Sequence, residues 1–381
     1  MSDELSQRIA VTRLLMILGL VLLHFGAFPG TDINPFRGVQ STDGWQMQAL
    51  NSSVLYWFFG AVPLLSIVSG YLFFYQQPRQ FQRKLKNRLT NLVLPSLVWI
   101  GLWQILINTG YTVNLIDDGG GYLARAQGEL HITLAGALWS LFDGPAQHVA
   151  QQFWFIHDLI YTLLLSPLLY WCIKRVPKLF LVALGAAWLT GIDVPIFYRL
   201  DVLLFFSLGT ALALHKGGQQ KLAWFVSKPV FILAVLVTWL LILARVFYPL
   251  LIDKAIPFEH QWECIIRMGA VIAFCGLVVR LHLCSAKLHG VLVHFSGLSF
   301  FIFASHYPLL ELVKRSWHKL FYVNSSIEQL AVYLLTPVIT LGLIYGFAWL
   351  LHSITPGLFR FLNGQRAFPM PVMRFGLNPA R

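Results

Sequence analysis

The chain has 381 residues, 57% of them hydrophobic and only 12% charged, with a mean hydropathy of +0.66 and a formal net charge of +12. That balance excludes a water-soluble globular domain. The basic residues are spread over several short loops, which argues for a topology signal and attraction to anionic membrane lipids, and against nucleic-acid binding.

Apolar runs of about 20 residues, long enough to cross a hydrocarbon core of about 30 Å, recur along the chain. They place spans at 10–29, 52–75, 90–110, 151–173, 179–193, 199–215, 229–249, 262–282, 291–313 and 328–352. The expected fold is an all-α polytopic membrane bundle of about ten transmembrane helices. Residues 1–352 read as one transmembrane domain and 353–381 as a cytoplasmic C-terminal tail. The runs at 179–193 and 199–215 are short. The stretch 131–142 is apolar but too short to span, and reads as a surface or re-entrant helix. No small-x-small cleavage site follows the first run, so it is expected to stay as a helix. No internal repeat is visible. Cys172, Cys264, Cys275 and Cys284 form no CxxC pair, so neither a disulfide framework nor a zinc site is expected.

Charge orients the spans. The loop "QQPRQFQRKLKNRLT" carries Arg79, Arg83, Lys84, Lys86 and Arg88 and no acid, which marks it as cytoplasmic. Most other lysines and arginines then fall on the same side, with both termini inside. The run Lys314, Arg315, Lys319 is the main dissent.

Several polar residues break the apolar runs. In the first run Arg13 and His24 are eleven residues apart, which on a helix comes to about 20° past three full turns and roughly 16 Å of rise. Both side chains share one face, Arg13 near the cytoplasmic boundary and His24 in the outer half of the bilayer. Arg13 alone reads as a snorkelling anchor, and His24 alone as a bundle hydrogen-bonder. Ionisable groups within spans are expensive, however, and mark function by default. His157 and His306 lie at a similar depth in other spans, so three helices offer imidazoles able to move a proton near pH 7. No i,i+4 histidine pair or local carboxylate–histidine spacing supports a metal site, and none is expected. Asp158 and Glu311 are carboxylates placed to orient a histidine. The basic cluster Arg83, Lys84, Lys86, Arg88 is either the topology signal or a clamp for a phosphorylated ligand. Of these, Arg88 leads directly into the third span. Glu263 and Arg267, acid first at i,i+4, form a structural ion pair or a sugar-facing group.

Five ordered motifs carry a family resemblance. The segment "RLLMILGLVLLH" resembles the Arg-x10-His signature of the type-3 acyltransferase family of membrane-bound O-acyltransferases. "VPLLSIVSGYLFF", with Ser69, Gly70 and Tyr71, resembles its second-helix motif, and "RKLKNRLTNLVLPSLVW" its basic stretch leading to a proline. "FWFIHDLIYTLLLSPLL" and "SFFIFASHYPLLEL" resemble two of its later helices, the second with a His-x-Pro ending. The resemblance implies a ten-helix core in the bacterial cytoplasmic (inner) membrane, with acetyl-CoA as co-substrate and no bound cofactor. It implies a glycan or lipid-linked sugar as acceptor, usually a cell-surface or exported polysaccharide. Some members carry an extra extracytoplasmic domain, and none is expected here.

On that basis Arg88, with Arg83, Lys84 and Arg13, is expected to hold the donor phosphates. His24 is expected to act as general base, and His306, Tyr71 or a backbone N–H to stabilise the oxyanion. His157 is a third candidate, at a place where many members have an apolar residue. The acceptor is expected from the periplasmic side, past Trp154 and the 111–150 loop, with Asp158, Glu263 and Arg267 as orienting groups. An acyl-enzyme through His24 or Ser69 is a variant of this scheme. The alternatives are a secondary transporter, for which no two-fold repeat or paired broken helices are seen, and a non-catalytic component of polysaccharide assembly.

Overall fold

The computed structural model describes residues 3–28, 34–75, 81–112, 150–215, 223–252, 256–321, 323 and 325–369. Among the described residues every regular element is a helix. In chain order we number them α1 (Asp3–Leu23), α2 (Trp45–Phe58), α3 (Ala61–Phe74), α4 (Phe81–Thr112), α5 (Trp154–Leu164), α6 (Ser166–Arg175), α7 (Pro177–Thr190), α8 (Leu200–Leu214), α9 (Lys228–Ile252), α10 (Glu259–Cys284), α11 (Ala286–Phe295), α12 (Ser299–Leu320), α13 (Ser326–Ile354) and α14 (Pro356–Leu362).

Seven helical segments are long and apolar enough to cross a membrane: α1, α2 with α3, α4, α9, α10, α11 with α12, and α13. The stretch Gln151–Leu164 with α6, bent by 62°, makes an eighth if counted as one span. The runs expected at 179–193 and 199–215 are α7 and α8, of 14 and 15 residues. A perpendicular crossing takes about 20 residues. Seven or eight full crossings are therefore described, and a count of about ten includes these two short helices. The stretch 131–142 and most of the 111–150 loop lie outside the described residues.

Prolines explain where helices bend and what they bond. Pro167 has no N–H to offer the Leu163 carbonyl four residues back. The hydroxyl of Ser166 donates to that carbonyl instead, at 2.5 Å, where α5 gives way to α6. Pro308, inside α12, leaves the carbonyl of Ala304 without its helical donor in the same way. Two side chains from elsewhere donate to it: the indole Nε1 of Trp103 at 3.1 Å and Nε2 of Gln152 at 3.0 Å. The proline thereby fastens α4 and the turn before α5 to α12, within a turn of His306.

Small residues set the central contact. α3 and α8 cross so closely that a side chain at Gly70 would strike the Phe206 carbonyl, and one at Gly209 the Ile67 carbonyl. Such reciprocal glycines let two backbones touch inside a membrane bundle. α8 is buried on most of its circumference, through Val202, Phe205, Phe206, Ser207 and Thr210.

Beyond α13 the chain turns back. Trp99 Nε1 of α4 donates to the Leu362 carbonyl at 3.0 Å. The fully buried Asn363 accepts from the Phe301 N–H at 3.1 Å and donates to the Gly297 carbonyl at 2.9 Å. Residues 356–368, expected from sequence to form a tail, thus pack onto α4 and the start of α12, with Phe359, Leu362 and Phe368 buried.

Candidate active site

α1 ends at Leu23, short of the predicted end at residue 29, and His24 follows with its N–H still on the Leu20 carbonyl at 2.9 Å. There its ring meets α12. Nε2 of His306 lies 3.0 Å from Nδ1 of His24, with ring centroids 5.1 Å apart. His306 is fully buried, and its Nδ1 lies 2.8 Å from the Phe303 carbonyl and 3.2 Å from that of Ile302. A carbonyl only accepts, so Nδ1 of His306 carries the proton and Nε2 the lone pair. That lone pair accepts the Nδ1–H of His24. The basic nitrogen of His24 is then Nε2. Two main-chain carbonyls on α12 thus select the tautomer of a histidine on another helix. Tyr307 packs edge-on against His24, centroids 5.1 Å apart.

Three turns back along α1, at the middle of the helix, the chemistry is opposite. Arg13, Arg88 of α4 and Arg366 from the segment after α14 line a basin of about 470 Å³, together with Lys84. No carboxylate lines it among the described residues. Burial first, and then the guanidiniums of Arg13 and Arg88, lower the pKa of Arg366. Three like charges gathered without a counter-charge favour an anionic occupant with several acceptor oxygens. A narrower space of about 100 Å³, lined by the same three arginines, leads from the basin to Phe155 and Phe303. These two rings, 6.1 Å apart, also line a cavity of about 800 Å³ that contains His24 and Tyr307. Three neighbouring spaces with shared lining residues thus lie in order from a basic basin, past an aromatic waist, to the histidine pair.

The far wall of the large cavity is charged and internally paired. Arg267, nearly fully buried, bonds Glu263 at 2.9 Å and lies 3.9 Å from the Asp201 carboxylate. Arg199 pairs with Asp201 at 3.2 Å and sits 5.5 Å above the Trp154 ring. All five residues line the cavity. Aromatic faces and paired carboxylate–guanidinium groups of this kind suit a polyhydroxylated ligand better than an apolar one.

The family model for the acyltransferase domain matches residues 7–353. The chain belongs to the type-3 acyltransferase family. It is also similar to the succinoglycan biosynthesis protein ExoH of Rhizobium meliloti (strain 1021), with 29% identity over 371 residues, 96% of this chain and 94% of that protein. No solved structure matches it.

Among the residues singled out from sequence, this acyltransferase brings together His24 and His306 at one end and Arg13, Arg88 and Lys84 at the other. Trp154, Glu263 and Arg267 line the large cavity. His157 does not join the histidine pair. Its Nδ1 lies 3.0 Å from Asp158, and its ring lies against Tyr198 and Tyr161. The Asp158 carboxylate also accepts the N–H groups of Tyr198 and Arg199, both at 3.0 Å, so it staples the turn that presents Arg199. Glu311 pairs with Lys314 at 2.7 Å and Arg315 at 2.9 Å rather than with a histidine. Arg83 is exposed and lies outside the basin lining. Tyr71 lies against Tyr75, a basin residue, and does not line the His24 cavity among the described residues. Ser69 lines the narrow space, its hydroxyl donating to the Leu65 carbonyl at 2.8 Å. Three residues of this acyltransferase were missed from sequence. Arg366 looked like one more cytoplasmic charge, and Arg199 and Asp201 lay at the edge of a short run. The available signal for Asp201 was a carboxylate in the first turn of an apolar helix.

Proposed function

We propose that this membrane acyltransferase moves an acetyl group from cytoplasmic acetyl-CoA to a hydroxyl of a cell-surface or exported glycan, or of its lipid-linked precursor, in the bacterial inner membrane. The single observation that carries the reading is an arginine basin at the middle of α1, with no carboxylate among the described residues, and a tautomer-fixed histidine just past the end of that helix, with a narrow space between them that shares lining residues with both sides. The similarity to a protein of succinoglycan biosynthesis supports a polysaccharide acceptor.

The donor phosphates sit among Arg13, Arg88 and Arg366, and the pantetheine arm threads inward past Phe155 and Phe303. The acceptor occupies the large cavity against Trp154 and the Arg267–Glu263–Asp201 wall. Nε2 of His24 takes the proton of the acceptor hydroxyl as its oxygen attacks the thioester carbon. His306 accepts the Nδ1–H of His24 and so supports the imidazolium that forms. Tyr307, in ring contact with His24, is the side chain we assign to the developing oxyanion. Collapse of the tetrahedral species breaks the carbon–sulfur bond, and the thiolate leaves with the proton held by His24. The products are an O-acetyl ester and CoA thiol.

Thiol release from acetyl-CoA by the purified protein, with alkali-treated succinoglycan as acceptor, tests this reading. Acetyl transfer that depends on His24 is the expected result. Movement of solute without thiol release would instead place the chain among transporters.

A further inference from the structure

The turn after His24 is held by side chains from two other helices, and every carbonyl in it is used. Gly26 adopts φ +64°, a left-handed conformation that reverses the chain. The carbonyls of Phe25, Gly26 and Ala27 then point into the bundle. Nζ of Lys314 donates to Phe25 at 2.7 Å and to Ala27 at 3.1 Å. Nδ2 of Asn51, from α2, donates to Gly26 at 2.8 Å. Lys314 is 4% exposed and Asn51 2%. The third N–H of the Lys314 ammonium goes to Glu311, at 2.7 Å. A buried lysine with all three donors used is a costly way to end a helix, because an isolated buried ammonium is strongly disfavoured.

Its place on α12 gives a reason for that cost. Tyr307 and Lys314 are seven residues apart, about 20° short of two full turns, so they share one stripe of the helix. One end of the stripe packs on the His24 ring, and the other grips the main chain immediately after His24. His306, beside Tyr307, receives the hydrogen bond from His24. The helix that selects the tautomer of the base also fixes the backbone on which the base is mounted.

We infer that Lys314, together with Asn51, is a positioning residue for His24, holding its imidazole in hydrogen-bond register with His306. This rests on the reading of His24 as the general base. A small loss of register costs rate more than donor affinity, because the arginine basin lies about three helical turns back along α1 from His24.

The test uses the full chain, purified in lipid nanodiscs, as Lys314→Met, Lys314→Arg and Asn51→Ala. CoA thiol release from acetyl-CoA gives kcat and donor KM, calorimetry gives the Kd of CoA, and 15N spectra of the imidazoles report the His24–His306 hydrogen bond. Lys314→Met is expected to lower kcat at least tenfold, with KM and Kd within twofold and the paired 15N signature lost. Asn51→Ala, which removes one bond of the three, is expected to lower kcat about threefold, and Lys314→Arg to recover part of the rate. Wild-type kcat and an unchanged 15N signature in folded Lys314→Met overturn the inference, as does an equal rise in KM and Kd. If Lys314→Met fails to fold, Asn51→Ala decides on the same two readouts. Retention of transfer by His24→Ala would sink the general-base reading itself, while the 15N spectra would still show whether Lys314 sets the histidine register.

Discussion

At the residue scale, the proposed mechanism gives His24 and Arg13, three turns apart along one helix face, different tasks. His24→Ala should abolish thiol release yet leave CoA binding within twofold, since the arginine basin is untouched. Substantial turnover by a folded His24→Ala protein would remove it from the chemistry. Arg366→Ala should do the opposite, weakening CoA binding by roughly ten- to hundredfold through loss of a charge-assisted contact of about 1.5–3 kcal/mol. Arg13→Ala should behave alike, and Arg13→Lys should recover only part of the affinity because a point charge replaces a planar fork. Calorimetry with CoA checks all three, and wild-type affinity in Arg366→Ala would return that residue to the cytoplasmic surface. His24, His306 and Arg13 were legible in the sequence because an ionisable side chain in an apolar run is conspicuous, and Arg88 because it is the basic residue that leads into the third span. Arg366 was not, because it sits in a polar segment whose return to the bundle depends on Asn363 and Trp99, far apart in the chain. Lys314 was visible only as a charge on the wrong side. Its burial removes one of the three charges of that run, since a lysine bonded to three internal acceptors carries no topology signal, while Lys319 stays exposed.

At the element scale, hydropathy located the helices but not their breaks. A sliding apolar average passes smoothly over Gly60, Pro167 and Ser296–Leu298, where one helix gives way to the next without any change in polarity, and it passes over the 62° bend between α5 and α6 in the same way. The α3–α8 crossing is likewise silent in the sequence, because a glycine in an apolar helix signals contact without naming its partner. The structure names it, and Gly209→Leu should therefore be severe. The added side chain meets the Ile67 carbonyl, and a backbone inside a packed bundle has little room to shift. We expect a loss of well over about 2 kcal/mol, read as a lowered melting temperature and poor recovery of monodisperse protein. Gly342→Ala, where a new Cβ meets nothing within 4 Å, is the control and should melt like the parent. Equal melting of the two variants would show that the crossing is looser than drawn.

At the scale of the whole molecule, the two ends of the cavity system should open to opposite compartments. Gln82 and Asp43 are both exposed, Gln82 at the start of α4 beside the basin residues and Asp43 in the connection between α1 and α2, beyond the His24 turn. In intact cells, with the native cysteines replaced, an impermeant thiol label should reach a cysteine at position 43 and miss one at position 82. The reverse pattern would invert the orientation and move the acceptor to the cytoplasm.

The waist at Phe155 and Phe303 has one more consequence, which concerns the membrane rather than the reaction. A route open from one face to the other is a leak, and an energised membrane tolerates very little of it. Two phenyl rings stand between a positively charged basin and a cavity large enough to hold water. On the proposed route they admit a slender thioester arm while refusing ions and protons. On that reading the protein is a channel kept shut around its own substrate. Phe303→Gly should loosen that constraint in both directions at once. In sealed vesicles it should raise passive anion flux above that of the parent, and added CoA, seated in the basin, should suppress the excess.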